Sequence, residues 1–166
     1  GSVDEQPRPK PDRFNGRILL AAEEELSLRT LCTVVRFSGI YGPGRRRLIE
    51  QVNAIAEGAE APAPSWTNRI HSEDCVTLLK HVGDRWLNQE DLPPLIIGTD
   101  TAPTVNTRVL NWIAEKLSVE LALPEPDLAP GKRIKSQYLA AHPELLRYPD
   151  FRAGYGALLT DAGSAN

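Results

Sequence analysis

The stretch Val34-Val35-Arg36-Phe37-Ser38-Gly39-Ile40-Tyr41-Gly42-Pro43-Gly44-Arg45 decides how the chain is read. Cys32 to Phe37 is short and rich in β-branched residues, which suits a buried strand. Ser38 to Gly44 then gathers Gly39, Gly42, Pro43 and Gly44 into one loop, where the backbone can approach a ligand closely. A strand that ends in such a loop, with a helix on either side, is the repeating unit of an α/β fold.

Outward from this stretch the periodicity alternates. Leu19, Ala22 and Leu26 predict a helix over Asn15 to Arg29. Ile49, Val52 and Ile55 predict a second over Leu48 to Glu57, with Gly58 as its stop. Trp66 to His71 is extended, and Ser72 is a candidate N-cap for a helix through Gly83 that buries Cys75, Leu78, Leu79 and Val82. Leu95-Ile96-Ile97 is a second buried strand. Thr104 is expected to cap a helix through Leu117, with Val105, Val109, Trp112 and Ile113 inward. Arg133 to Lys135 is extended, Ser136 to Ala141 is a short helix, and Asp150 opens a final helix carrying Phe151, Tyr155 and Leu158 on one side. The predicted class is α/β. Only two segments look like parallel-sheet strands, fewer than the usual four to six, so an open sheet edge is expected.

Composition narrows the function classes. The chain has 166 residues, 41% of them hydrophobic and 25% charged, with a net charge of −3. That is enough chain for one real core and argues against disorder. No apolar run approaches a membrane span, and no signal peptide is visible. The mild acidity argues against nucleic-acid binding. Cys32 and Cys75 sit among apolar neighbours and are expected to be buried, inert thiols. His71, His81 and His142 are far apart in sequence and no metal-ligand spacing occurs. A reducing, cytoplasmic setting is expected. There is no methionine, and the chain opens Gly1-Ser2, which resembles a tag remnant. Residues 1–13 are expected to be a tag scar and proline-rich arm, with the native start lying elsewhere.

No complete phosphate-cradling motif is present. Gly42-Pro43-Gly44-Arg45-Arg46-Arg47 lacks the last glycine of G-x-G-x-x-G, and so does the run from Gly154 to Leu159. Arg45, Arg46 and Arg47 open a helix, where they suit either a phosphate or carboxylate or simply a solvated face. Asn68, Arg69 and His71 form a second polar cluster, with His71 open to a structural role as well. Asp74 suits the positive end of its helix.

Three ordered segments carry a resemblance. Val34 to Arg45 resembles the "LRxxxIYGPGR" segment of the extended short-chain dehydrogenase/reductases, the nucleoside-diphosphate-sugar epimerases and dehydratases. Asn68-Arg69-Ile70-His71-Ser72-Glu73-Asp74-Cys75-Val76 is similar to that family's "xxIHVxDxA". Leu146-Arg147-Tyr148-Pro149-Asp150-Phe151-Arg152-Ala153-Gly154-Tyr155 is similar to the ending of an atypical, epimerase-like branch of NAD(P)-dependent oxidoreductases.

The resemblance, running from Val3 to Leu159, implies a Rossmann-type fold of which 14–166 is the substrate-side domain with the last Rossmann elements. It implies NAD or NADP in the parent protein, with the dinucleotide-binding part absent and no cofactor bound by this chain alone. Phe37, Ser38, Gly39 and Ile40 would lie at the nicotinamide end of the cofactor. Tyr41, Arg45, Asn68, Arg69 and His71 would meet a small-molecule substrate, a nucleotide-sugar or other anionic metabolite.

The departures from the family are specific. Its Tyr/Lys catalytic pair would fall on Phe14 with Ile18, or Asn15 with Leu19, and none of these transfers a proton. Gly39 stands where a substrate-contacting Asn is common, and Thr67 where an Arg often holds the diphosphate. The resemblance therefore assigns no catalytic residue, no metal site and no activity to this chain alone. A non-enzymatic ligand sensor or interaction module on the same fold is the competing reading. A homodimer formed through the open sheet edge is a further expectation.

Overall fold

The computed structural model describes residues 1–163. In chain order the elements are β1 (Ser2–Val3), α1 (Phe14–Arg29), β2 (Val34–Phe37), β3 (Gly39–Tyr41), α2 (Arg47–Ala56), β4 (Trp66–Thr67), β5 (Arg69–His71), α3 (Ser72–Leu87), β6 (Leu95–Gly98), β7 (Thr104–Val105), α4 (Asn106–Lys116), β8 (Arg133–Ile134), α5 (Gln137–Ala141), a single 3₁₀ turn (Pro143–Leu145) and α6 (Phe151–Gly163). The class is mixed α/β, as the alternation predicts.

Both long apolar segments become strands and pair with each other. β2 runs parallel to β6, with Val34 opposite Leu95 and Phe37 opposite Gly98. Gly98 has no side chain because Phe37 lies there: a Cβ would come within 2.4 Å of its ring. The loop after β2 is more structured than its glycines suggest. Gly39–Tyr41 forms a strand of its own, parallel to β5 and in register Gly39–Arg69, Ile40–Ile70, Tyr41–His71. Ladder pairing with Arg69–His71 overrides the loop propensity of Gly39.

Alternation along that ladder divides the interior in two. Ile40 and Ile70 face a cluster with Cys75, Leu78, Ile96, Leu139 and Leu145, built by α3, β6 and α5. Tyr41 faces a second cluster with Ile49, Val52, Val109, Leu110, Ile113, Phe151 and Tyr155, built by α2, α4 and α6. Trp112 packs edge-on against Phe151, 5.6 Å between ring centres.

Helix ends differ from expectation at both ends of α3 and at the start of α4. His71, not Ser72, caps α3: its Nδ1 accepts the Glu73 amide at 3.3 Å. α3 also continues past Gly83 to Leu87, since nothing in its last turn breaks the helix. Thr104 is taken up by a short antiparallel pairing of β7 with β4, which leaves Val105 at the cap position of α4 with no side-chain cap. Ser136 caps α5 as its sequence suggests, accepting from the Leu139 amide at 3.1 Å.

Residues 1–13 do more than trail as an arm. β1 pairs parallel with β8, and the Glu5 carboxylate accepts from Ser136 Oγ and the Gln137 amide, both at 2.9 Å. Cys75 is buried, whereas Cys32 is half-buried. Both are free thiols.

α1 is different from every other long helix. It buries none of its residues. Phe14, Ile18, Leu19, Leu26 and Leu28 are all exposed, Leu28 at 83%. No helix of the described residues is long and apolar enough to cross a membrane.

Candidate functional site

Parallel α/β sheets bind ligands outside the carboxyl ends of their strands. Here that end is the junction of β2 and β6. The Ser38 amide donates to the Gly98 carbonyl at 2.9 Å, and Ser38 Oγ donates to Thr99 Oγ1 at 3.2 Å. Just beyond it, a cavity of about 190 Å³ is lined by Thr99, Asp100, Thr101, Lys135 and Ser136. A larger apolar groove of about 700 Å³, lined by Leu31, Thr33, Trp86, Leu87, Leu92 and Pro94, sits at the amino ends of the same strands. It is on the wrong end of the sheet for a ligand of the usual kind.

The Gly-Pro-Gly turn has a defined shape. Pro43 fixes its first corner and Gly44, at φ +73°, its second, while the Arg45 amide closes it on the Gly42 carbonyl at 2.9 Å. This is the residue pattern of a type II turn. Gly42 is required twice over: its φ is +151°, and a Cβ would sit 2.2 Å from Ser72 Oγ.

The expected site residues separate into groups. Phe37, Ser38 and Ile40 are half-buried at the strand end and Gly39 is exposed. Arg45 lies exposed on the turn. Asn68 is committed to structure, donating to the Lys132 carbonyl at 2.9 Å and accepting from the Ile134 amide at 2.7 Å, which holds β8 in place. Tyr41, Arg69 and His71 share one face of the β3–β5 ladder and are buried. Of the arginine triplet, Arg46 donates to the Leu158 carbonyl at 3.1 Å, while Arg45 and Arg47 face solvent.

The buried three belong to a polar layer that the sequence does not announce. Asp100, which follows β6 by two residues, is buried, and its amide donates to the Arg69 carbonyl at 2.7 Å. Burial pushes the Asp100 carboxyl up to about 7, against the opposing pull of Arg69. Arg69 donates to Thr67 Oγ1 and lies 5.7 Å from the Phe151 ring centre, and burial lowers its pKa. Tyr41 stacks on Tyr155 at 4.4 Å and meets His71 edge-on at 5.2 Å. Burial raises both phenols, Tyr155 to about 12, and lowers the His71 imidazole. Gly154 permits this packing, since a Cβ there would lie 1.9 Å from Tyr41 Oη.

Asp74, expected only to favour its helix end, does more. It is fully buried and accepts the Arg147 amide at 2.9 Å and the Tyr148 amide at 3.1 Å. This ties the second resembling segment to the third.

Chemically, the strand end offers a backbone turn and a small cavity of mixed polar and apolar lining, but no nucleophile beside a base. Phe14 and Ile18 at the start of α1 are exposed apolar groups with no proton to move. Among the described residues no cluster of His, Cys, Asp and Glu is arranged to hold a metal ion.

Comparison with known proteins places the fold. No family model matches the chain, and neither does any curated protein. Solved structures do match. A protein of Methylobacillus flagellatus, provisionally described as an NAD-dependent epimerase/dehydratase, is similar over 98% of this chain and 58% of its own, at 32% identity and a TM-score of 0.84. A conserved protein of unknown function from Silicibacter pomeroyi is similar over 96% of this chain and 60% of its own, at 26% identity and a TM-score of 0.71. The dTDP-glucose 4,6-dehydratase of Bacillus anthracis, solved with NAD, shares the fold over the whole of this chain and 57% of its own, at 17% identity and a TM-score of 0.65. The chain thus has the architecture of Rossmann-type epimerase-fold proteins and spans under two thirds of each of these three.

Proposed function

We propose that this chain is the substrate-side portion of an NAD(P)-dependent epimerase- or dehydratase-like oxidoreductase, and that it does not turn over substrate by itself. The observation that carries this reading is the open flank of the molecule. Among the described residues β2 pairs only with β6, so its other edge is free, and α1 beside it buries nothing. A parallel sheet is normally covered on both faces and continued at its edges. The free edge and the bare helix are where the dinucleotide-binding part of such a protein would abut.

The residues present fit one end of the cofactor. Phe37 to Ile40 would stand at its nicotinamide end, where the exposed Gly39 leaves the backbone bare. No glycine-rich fingerprint is available to hold the pyrophosphate. When bound, the cofactor would supply hydride transfer. Arg45, exposed beside the turn, would meet an anionic part of the substrate, such as that of a nucleotide-sugar or related metabolite.

Titration of NADH and NADPH into the chain, followed by nicotinamide fluorescence and calorimetry, tests the reading. No saturable binding at micromolar concentration is expected, and micromolar affinity would overturn it. The missing Tyr/Lys pair favours a second reading, a ligand-sensing or interaction module on the same fold. Turnover of nicotinamide by the chain joined to its dinucleotide-binding part would exclude that alternative. Pairing of two copies through the β2 edge predicts a dimer in light scattering, and a strictly monomeric chain rules such pairing out.

A further inference from the structure

The span from β8 to the segment after the 3₁₀ turn is fixed at two posts and lightly held between them. At the first, Asn68 bonds the Lys132 carbonyl at 2.9 Å and the Ile134 amide at 2.7 Å. At the second, the buried Asp74 carboxylate holds the amides of Arg147 and Tyr148. Between them α5 is a short helix whose one buried residue is Leu139, seated in the cluster with Leu78 and Ile96. His142, at φ −128° and ψ 59°, ends α5 ahead of Pro143, so the helix does not continue into the turn that follows. Elements with few buried apolar contacts open locally at a fraction of the global cost, and the lids of ligand sites are drawn from them.

Polar groups latch α5 from two sides. At its start the Glu5 carboxylate accepts from Ser136 Oγ and the Gln137 amide, and the Val3 carbonyl accepts from the Lys135 amide at 2.9 Å. None of residues 1–5, which carry this latch, is itself buried. Further along, Tyr138 Oη and His81 Nε2 of α3 share a hydrogen bond of 2.8 Å, and the Tyr138 ring lies 4.6 Å from that of His142. The element so held is one wall of a cavity. Ser136, Leu139 and Ala140 line the space of about 190 Å³ at the end of β6, together with Thr99, Asp100 and Thr101. That is the strand end at which parallel α/β sheets take their ligands.

We propose that α5 is a gate over this cavity, swinging between the posts at Ile134 and Arg147 and held shut by the Glu5 and His81–Tyr138 latches. Opening lifts Leu139 away from Ile96 and uncovers Thr99, which is 1% exposed in the closed form. The two latches are independent. Glu5 belongs to the N-terminal segment and His81 to α3, so each can be cut without altering the other or the residues that line the cavity.

Labelling of a thiol placed on the cavity wall tests the gate: Thr99→Cys in a chain that also carries Cys32→Ser, with Cys75 followed apart by peptide mass. A gate predicts a labelling rate nearly independent of low urea, since local opening exposes little surface. Tyr138→Phe and Glu5→Ala, each of which cuts one latch, should raise that rate roughly three- to tenfold, the worth of an ordinary hydrogen bond. A rate that climbs with urea as global unfolding does, or that neither latch variant moves, overturns the proposal. Hydrogen exchange gives the same test without the new thiol. In Tyr138→Phe alone the amides of Leu139, Ala140 and His142, which close α5, should exchange faster by that factor while those of α4 keep their rates. Unchanged exchange in α5, or equal acceleration in α4, overturns the proposal as well.

Discussion

The two sides of this molecule both carry apolar sequence and use it differently. On one side α2, α4 and α6 close over Tyr41, Val52, Val109, Leu110 and Ile113, most of them without any exposure to solvent. On the other, α1 carries Phe14, Ile18, Leu19, Leu26 and Leu28 and covers none of them. α2 and α4 have their apolar residues on one face, toward the core. α1 has them around most of its circumference, a pattern that belongs to a helix enclosed on several sides. The difference is that α1 meets no apolar counterpart among the described residues. Its attachments are polar: Glu23 with Arg36 of β2, Glu24 with Arg8, and the Ser27–Cys32 contact at 3.6 Å.

The largest expected effect breaks the closed side. Leu110→Ala removes a fully buried side chain from the α4 face and should cost about 2–5 kcal/mol, read as a lower urea midpoint. Leu28→Ala on α1 should move that midpoint by no more than about 0.5 kcal/mol. A Leu28 effect as large as that of Leu110 would mean that α1 is covered in solution.

Next is the pH dependence of the polar layer. The Asp100 carboxyl is raised to about 7 in the folded chain, from an ordinary value of 3.8. A raised folded pKa adds stability that is fully present below the unfolded value and is lost as pH rises through the folded one. The unaltered chain should therefore lose up to about 4 kcal/mol of Asp100's contribution between pH 4 and pH 7. His71 works in the opposite sense, since burial lowers its pKa and its protonation on acidification costs stability. Asp74, also raised by burial, works with Asp100. Urea midpoints of the unaltered chain minus those of Asp100→Asn isolate the one group. A flat difference across this range would show that the layer is not closed off from solvent.

Asp74→Ala comes third. It strands the amides of Arg147 and Tyr148 and should cost about 2–3 kcal/mol, with the loss of protection from hydrogen exchange centred on residues 145–150. Equal loss across the whole chain would show that this clip holds the global fold and not one segment.

What was legible in the sequence follows the same division. β2, β6 and the helices with apolar residues on one face were readable because burial on one face leaves a period. Gly39–Tyr41 was not, since its strand character comes from pairing with Arg69–His71, thirty residues away. The cap of α3 was read on Ser72 and lies on His71, because an imidazole nitrogen can accept as a hydroxyl does. Within the site, the turn glycines were legible and the depth of Tyr41, Arg69 and His71 was not. Tyrosine, arginine and histidine look alike in sequence whether they face a ligand or one another. Asp100 was passed over for the same reason: a lone aspartate after a strand carries no spacing signal until the fold sets it beside Arg69.

The smallest change sharpens the comparison most. Arg36→Ala removes the half-buried ion pair that joins β2 to Glu23 of α1. Such pairs contribute about 1 kcal/mol or less, so the urea midpoint should hardly move. The local effect should be large by contrast. Without that pair no ion pair joins α1 to the sheet among the described residues, and a lone helix of 16 residues is marginal in water. Amides from Ile18 to Leu26 should then exchange much faster, and proteolysis should begin in this helix, while α4 and α6 keep their protection. If α1 instead stays protected, its apolar circumference is already enclosed by another body, and the first to examine is a second copy of the chain. Dilution separates the two cases, because protection that comes from a partner falls with concentration and protection within one chain does not.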